Sequence, residues 1–179
     1  MIELPVMSQL TDHLLGLSLE APAEWSGTKR SALNLALFAP EQRDYRANIS
    51  LDLKHVAPPD DRGDWFVRVV ELAYFQGGLG LAQYQLVETF ELTLDGHPGF
   101  LARYEWVSPE LSLHFSQVDT LVLLSPTSFL EIHGVGLKEL EREYVTTFLY
   151  IINSIRFVSP RPSQQGEPGA ATDPAGRDG

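Results

Sequence analysis

The sequence has no cysteine among its 179 residues. That absence excludes disulfides, thiolate metal sites and cysteine nucleophiles, and it also excludes a lipid anchor attached to cysteine. The first residues contain no basic region and no unbroken apolar core, so we expect no export by the general route. No run approaches the roughly 20 apolar residues that a membrane-spanning helix needs. We therefore expect a cytoplasmic protein with no stable membrane insertion.

Positively charged residues are also scarce. The sequence has 13 Lys and Arg but 24 Asp and Glu, which gives a formal net charge of −11. An acidic surface repels phosphate backbones, which argues against a nucleic-acid partner. It argues equally against electrostatic docking on anionic lipid. The charge is typical of a protein kept soluble by self-repulsion.

The composition changes sharply after Val158. The last 21 residues hold four prolines and four glycines and no large apolar residue. Such a segment cannot bury enough surface to offset the entropy of ordering, so we predict a disordered tail over residues 159–179. Residues 1–158 are predicted to form a single domain, with the folded part running from about Leu14 to Val158.

Two segments have helical periodicity. Residues 60–76 begin with acidic side chains, carry an apolar stripe and end at Gly77 and Gly78, which predicts a helix. Residues 138–154 repeat apolar side chains at steps of three and four, with charged residues on the opposite side of the first turns. This second pattern also predicts an amphipathic helix.

The other regular segments alternate with a period of two. In residues 46–54, Ala47, Ile49, Leu51 and Leu53 alternate with polar residues, which is typical of a strand with one buried face. Further strands are predicted at residues 17–21, 33–39, 84–94, 99–107, 111–124 and 128–133. The order of elements predicts the α+β class, with an antiparallel sheet of about six or seven strands flanked by helices.

One short stretch around Asp95 and His97 places several polar residues close together in sequence, including Arg103 and Glu105. However, Asp95-Gly96 between alternating apolar runs is a strong hairpin signal. Glu105 would lie roughly 25 Å along an extended strand from the turn. We therefore interpret the stretch as a hairpin and not as a catalytic constellation.

Other candidate chemistry is weak, and we predict neither a metal nor a cofactor. The five histidines show no spacing that brings two metal ligands together. The glycines of residues 77–83 follow a predicted helix and precede a strand, which is the reverse of a dinucleotide loop. A less favoured hypothesis is an enzyme whose site assembles through space from His97, His114 or His133 with Asp95, Asp119 or Glu105.

The strand at residues 111–116 carries the clearest indication of function. Leu111, Leu113 and Phe115 alternate with Ser112, His114 and Ser116, so one face is apolar and the other is mixed with small polar residues. Two helices do not suffice to cover a sheet of six or seven strands, and an uncovered face is a binding surface. The candidate partner-binding residues, unless they belong wholly to the core, are Tyr104, Trp106, Leu113 and Phe115.

Four short patterns together resemble the DcrB and PsbP-like fold family. They are LSLEAPAEW at residues 17–25, ANISLDLKHV at 47–56, TLDGHPGFLARYEW at 93–106 and YIINSIRF at 150–157. The resemblance covers residues 17–158. It implies an antiparallel sheet flanked by helices, and it implies a protein that is not an enzyme, as most members are not.

Exported members of this family are lipoproteins or photosystem subunits, and this sequence departs from them by lacking a signal peptide and cysteine. Its character is closer to cytoplasmic chaperones associated with type VI secretion effectors, which are acidic, dimeric and hold apolar segments on the sheet. The resemblance therefore implies a non-enzymatic adaptor or chaperone, as a homodimer, for an apolar polypeptide segment such as that of a secreted effector. The alternative is a structural subunit of a larger complex.

Overall fold

The computed structural model describes residues 5–56 and 80–158. The described elements, in chain order, are β1 (Met7–Asp12), β2 (Leu17–Pro22), β3 (Ser26–Ser31), β4 (Asn34–Phe38), β5 (Asn48–His55), β6 (Ala82–Leu94), β7 (His97–Ser108), β8 (Leu113–Ser125), β9 (Ser128–Leu137), a 3₁₀ turn (Lys138–Leu140), α1 (Glu141–Ser154) and β10 (Arg156–Phe157). The predicted helix at residues 60–76 and the predicted disordered tail at 159–179 lie outside the described residues.

The strands form two sheets. The larger has seven strands in the order β3-β4-β5-β9-β8-β7-β6, and the smaller has the order β1-β2-β10. Every strand pair in both sheets is antiparallel. Together with α1, this architecture confirms the predicted α+β class with an antiparallel sheet of seven strands.

The β6–β7 connection confirms the predicted hairpin. Leu94 pairs with His97, which leaves Asp95 and Gly96 as the two turn residues. Both have positive φ, at 48° and 85°, which is the backbone that a type I′ turn requires. Asp tolerates this left-handed region and Gly adopts it without a Cβ clash, so the local sequence determines the turn.

The helix α1 packs directly on β9. A Cβ placed on Gly134 would lie 2.7 Å from the Phe148 ring, and one on Gly136 would lie 2.9 Å from the Tyr144 ring. The two glycines therefore let the helix approach the sheet closely. We call the sheet face that contacts α1 the inner face. The predicted helix at 138–154 is confirmed, although its first three residues form the 3₁₀ turn.

The main hydrophobic core lies between the inner face, α1 and the small sheet. Its fully buried members come from all three parts and include Leu17, Leu19, Ile49, Leu51, Val118, Ile132, Phe148 and Ile151. The small sheet therefore covers the core beside α1 and shares its packing.

Three described strands were not predicted. β1 pairs with β2 along its whole length, so the regular structure begins before Leu14, where the sequence placed the start of the fold. β3 carries only polar residues and glycine, and β10 has two residues that pair with β2. None of the three has an alternation that reveals a strand by itself.

Candidate functional site

The candidate site lies on the face of the seven-stranded sheet that points away from α1, which we call the outer face. Leu113 and Phe115 lie on it. Their neighbours His114 and Ser116 lie on the inner face, where Ser116 donates a hydrogen bond to Glu141 of α1 at 3.1 Å. At residues 113–116 of β8, the mixed side therefore faces the helix and the apolar side faces away from it.

Aromatic rings meet at the β7–β8 pair. Trp106 lies directly opposite Phe115 in the register, and the two rings stack at 4.7 Å with an interplanar angle of 30°. The Tyr45 ring packs against Phe115 at 4.9 Å. Phe115 is only 2% exposed, so it is a core residue, whereas Trp106 is half-buried.

The Trp106 indole is held in place by a hydrogen bond as well as by stacking. Its Nε1–H donates to Gln117 Oε1 at 3.0 Å, and Gln117 Nε2 donates to Asp119 Oδ1 at 2.8 Å. A tryptophan fixed at both its ring face and its N–H loses little rotamer entropy on contact with a partner.

Asp119 is the centre of this polar network. It is a buried carboxylate, 7% exposed, and besides Gln117 it accepts a hydrogen bond from the Tyr104 hydroxyl at 2.8 Å. Its Oδ1 also lies 3.0 Å from Nδ1 of His133 on β9. The buried charge is therefore satisfied from three sides, as a buried carboxylate requires.

His133 and Asp119 meet the distance that an enzyme hypothesis needs, but the pair does not supply a general base. Burial lowers the pKa of His133, and hydrogen bonds and charges from Asp119 and Glu131 outweigh it and raise the pKa to about 10. The ring is therefore an imidazolium at neutral pH and cannot accept a proton. It ties β8 to β9 as an ion pair.

The other candidates for an enzyme site fall into separate places. His114 lies 3.4 Å from Glu105 on the inner face. At the β6–β7 turn, the His97 ring contacts the Phe157 ring at 4.9 Å, and Asp95 accepts a hydrogen bond from the Phe157 backbone N–H at 2.8 Å. The structure thus brings Asp119 to His133 and Glu105 to His114 as two separate pairs, but it does not gather Asp95 and His97 with Glu105.

The inner face carries a second charged cluster near the start of α1. Arg103 pairs with Glu88 and Glu141, and Lys138 pairs with Glu105 and Glu141. Burial lowers the pKa of Lys138, but the two carboxylates outweigh it and raise it above its ordinary value. Lys138 therefore stays charged and is not a nucleophilic amine. The cluster joins β6, β7 and α1.

Three apolar side chains that are not fully buried lie toward the end of the β7–β8 hairpin. We call Trp106, Leu111 and Leu113 the hairpin-end patch. Leu113 is half-buried, and Leu111, which lies in the turn, is 59% exposed. Tyr104, at 7% exposure, and Phe115 are buried beside the patch, so direct contact with a partner would come from Trp106 and the two leucines.

Leu111 is the residue of this patch that was not among the predicted contacts. The sequence placed it in the predicted strand at residues 111–124, whereas β8 begins at Leu113 and Leu111 lies in the turn before it. Within residues 5–56 and 80–158, no group of three or more histidine, aspartate or glutamate side chains could hold a metal ion. The same residues include no helix long and apolar enough to cross a membrane.

Comparison with known proteins gives similarity in structure only. No protein-family model matches the sequence, and no curated protein does. Among solved structures, LpqN from Mycobacterium tuberculosis, involved in cell envelope biogenesis, has a TM-score of 0.62 at 13% identity and covers 86% of each chain. The Ran-binding protein Mog1p from Saccharomyces cerevisiae has a TM-score of 0.57 at 11% identity, over 87% of this chain and 97% of Mog1p.

The third similar structure is cyanobacterial PsbP from Synechocystis, with a TM-score of 0.55 at 15% identity, over 87% of this chain and 95% of that protein. Identities this low are informative about fold and not about activity. The described α+β fold, a seven-stranded antiparallel sheet with α1 on one face, is therefore the PsbP-like fold that the chain shares with Mog1p and LpqN.

Proposed function

We propose that this protein is a non-enzymatic binding module that holds an apolar polypeptide segment of another protein against the hairpin-end patch. The observation that carries the proposal is Trp106, which is half-buried, stacked on Phe115 and hydrogen-bonded to Gln117. It lies on the same hairpin as the exposed Leu111. Tryptophan is among the residues that contribute most to binding energy at interfaces, and a pre-organised ring contributes most.

The finer proposal is an adaptor or chaperone in the cytoplasm whose client is a secreted effector, as in the DcrB-like chaperones of type VI secretion. The net charge of −11 favours clients with basic residues beside their apolar segment, since complementary charge speeds association. Among the proteins of similar fold, the description of Mog1p as a Ran-binding protein supports a role in protein binding.

A second copy of the chain is part of the same proposal, because the chaperones that the sequence resembles are dimeric. A typical interface buries about 800 Å² on each partner. Light scattering of the purified protein over a range of concentrations tests the dimer separately from the client.

The alternative is a structural subunit of a larger complex, for which the description of LpqN in cell envelope biogenesis offers support. The two roles differ in their need for an apolar client. A subunit would contact a folded partner and would ignore an isolated apolar peptide.

Binding of a labelled apolar peptide with flanking lysines, followed by fluorescence anisotropy, tests the proposal. Leu111→Ser is the test variant, and Leu14→Ser is its matched control because Leu14 is 64% exposed against 59% for Leu111 and lies in the β1–β2 turn. We expect Leu111→Ser to weaken binding by about tenfold and Leu14→Ser to leave it unchanged. Equal affinities of the two variants would contradict the proposal.

A further inference from the structure

A concave site that shares no residue with the hairpin-end patch lies on the outer face, at the β3–β4–β5 side of the sheet. It is a cavity of 380 Å³, and we call it the polar groove; its lining residues are Ser31, Asn34, Ala36, Phe38, Asn48, Ser50 and Asp52. The lining residues of β4 and β5 alternate with core residues such as Leu35 and Ile49. The groove is therefore built into the regular sheet and not into a loop.

The sizes of paired side chains create the depression. Ala36 pairs with Ser50 across β4 and β5, and these two small residues form the floor. Asn34 pairs with Asp52 at one end of the floor, and Phe38 pairs with Asn48 at the other end. Larger side chains thus bound a floor of small ones, which is the shape of a binding site.

At the Asn34 end of the groove, one buried acceptor, Asn34 Oδ1, receives no hydrogen bond from the described residues. Asn34 Nδ2 donates to Asp52 Oδ1 at 2.8 Å, which fixes the orientation of the amide. Its Oδ1 is buried and has no hydrogen-bond partner among the described residues, and the residue is 8% exposed. A buried carbonyl oxygen without a donor is costly, so a donor entering at this end would be stabilised.

The same end carries the negative charge of Asp52, while the charged His133, which lies opposite Ser50 on β9, pairs with Asp119 and Glu131 instead. Of the lysine and arginine side chains that the structure describes, none forms a salt bridge with Asp52, and Lys54 pairs instead with Glu131 at 3.5 Å. At the other end, the guanidinium of Arg46 lies 5.4 Å from the centroid of the Phe38 ring. A cation of the protein itself therefore already lies on this ring, and the negative charge open to a ligand is at the Asn34–Asp52 end.

From these observations we infer that the polar groove binds a guanidinium group. A guanidinium brings five N–H donors and a positive charge in a planar fork that fits a carboxylate. Asp52 supplies the charge, and the Asn34 carbonyl oxygen and the Ser50 hydroxyl supply further acceptors. The guanidinium can come from an arginine side chain of a polypeptide or from a small guanidino compound.

Isothermal titration with agmatine and with the tripeptide acetyl-Gly-Arg-Gly-amide tests the inference. We expect at least one of them to bind with a Kd on the order of 1 mM or tighter. The matching citrulline tripeptide, which has the same shape without the charge, should not bind. Tighter binding of the arginine tripeptide identifies a polypeptide ligand, and tighter binding of agmatine identifies a small molecule.

Two variants connect binding to this groove. Asp52→Asn removes the charge and should weaken binding by about tenfold, whereas Glu24→Gln, which removes the same charge from an exposed turn residue, should not. Ser50→Leu fills the floor and should abolish binding with all charges retained. Thermal unfolding checks that each variant is folded.

Failure of both guanidinium probes to bind the folded parent protein would overturn the inference, as would equal binding of the citrulline tripeptide or unchanged binding by folded Asp52→Asn. The Leu111→Ser variant should bind the guanidinium probes normally, because the hairpin-end patch is a different site. Failure of the groove inference therefore leaves the proposed binding of apolar segments standing, and the reverse also holds.

Discussion

Trp106 and Phe115 stack across the β7–β8 pair at 4.7 Å, and one ring of the pair is half-buried while the other is 2% exposed. Trp106 is thus partly accessible on the outer face, and the residue that it stacks on, Phe115, is buried. Residues of the candidate site can therefore be separated into those that maintain the fold and those that are available to a partner.

That separation gives a first prediction, on stability. Phe115→Ala should lower the free energy of unfolding by about 3–5 kcal/mol, because it removes a large buried side chain and leaves a cavity. Leu111→Ala should change it by less than about 0.5 kcal/mol, because Leu111 is mostly exposed. Urea denaturation of both variants measures the difference. A similar loss for both would mean that Leu111 is a core residue and unavailable to a partner.

The close approach of α1 to β9 gives a second prediction. Gly134→Ala should destabilise the protein by about 1–3 kcal/mol, because the added Cβ would lie 2.7 Å from the Phe148 ring. Gly80→Ala is the matched control, since a Cβ at Gly80 meets nothing within 4 Å. Thermal denaturation compares the two. If Gly134→Ala were as stable as its control, the helix would not pack on β9 as described.

The His133 ion pair gives a third prediction, on pH dependence. The folded-state pKa of His133 is raised from 6.5 to about 10, so the charged ring stabilises the fold fully below about pH 6.5. As the pH rises from 6.5 through 10, the unfolded state has already lost this proton while the folded state still binds it. The contribution of His133 to stability should therefore fall across that window.

Denaturant titrations between pH 6 and pH 10 measure this dependence, with His133→Gln as the comparison. Between pH 6 and pH 10, the free energy of unfolding of His133→Gln should fall much less than that of the parent protein. An NMR titration of the His133 ring protons in the parent protein measures the same group directly. It should show no deprotonation near pH 6.5. A midpoint near 6.5 would show that Asp119 and Glu131 do not hold the proton.

Part of the site follows from the sequence through the geometry of hairpins. A turn at Ser125–Ser128 continued without a shift would pair Asp119 with Gly134, and a register shift of one residue between Leu123 and Ser125 instead places Asp119 opposite His133. The sequence does not show that shift, but the turn does bring β8 beside β9. The Asp95-Gly96 turn likewise aligns β6 with β7. The alternation of apolar and polar residues predicted β5 and the two faces of β8, because successive side chains of a strand point to opposite faces.

The rest depends on long-range pairing that no local pattern records. β3 has no apolar alternation and is a strand only because β4 pairs with it. β10 is two residues long and exists because β2 pairs with it from the other end of the chain. The polar groove needs Ala36 to lie opposite Ser50, and the sequence does not show this before the register of β4 and β5 is known.

The most direct test of the proposed function is photo-crosslinking from the hairpin-end patch. A photoreactive amino acid is placed at Leu111, and at Leu14 in a parallel sample, and each protein is irradiated with the apolar peptide. We expect the peptide to be crosslinked from position 111 and not from position 14, with the product competed away by unlabelled peptide. Equal crosslinking from both positions, or none from position 111, would contradict the proposal that the patch holds an apolar segment.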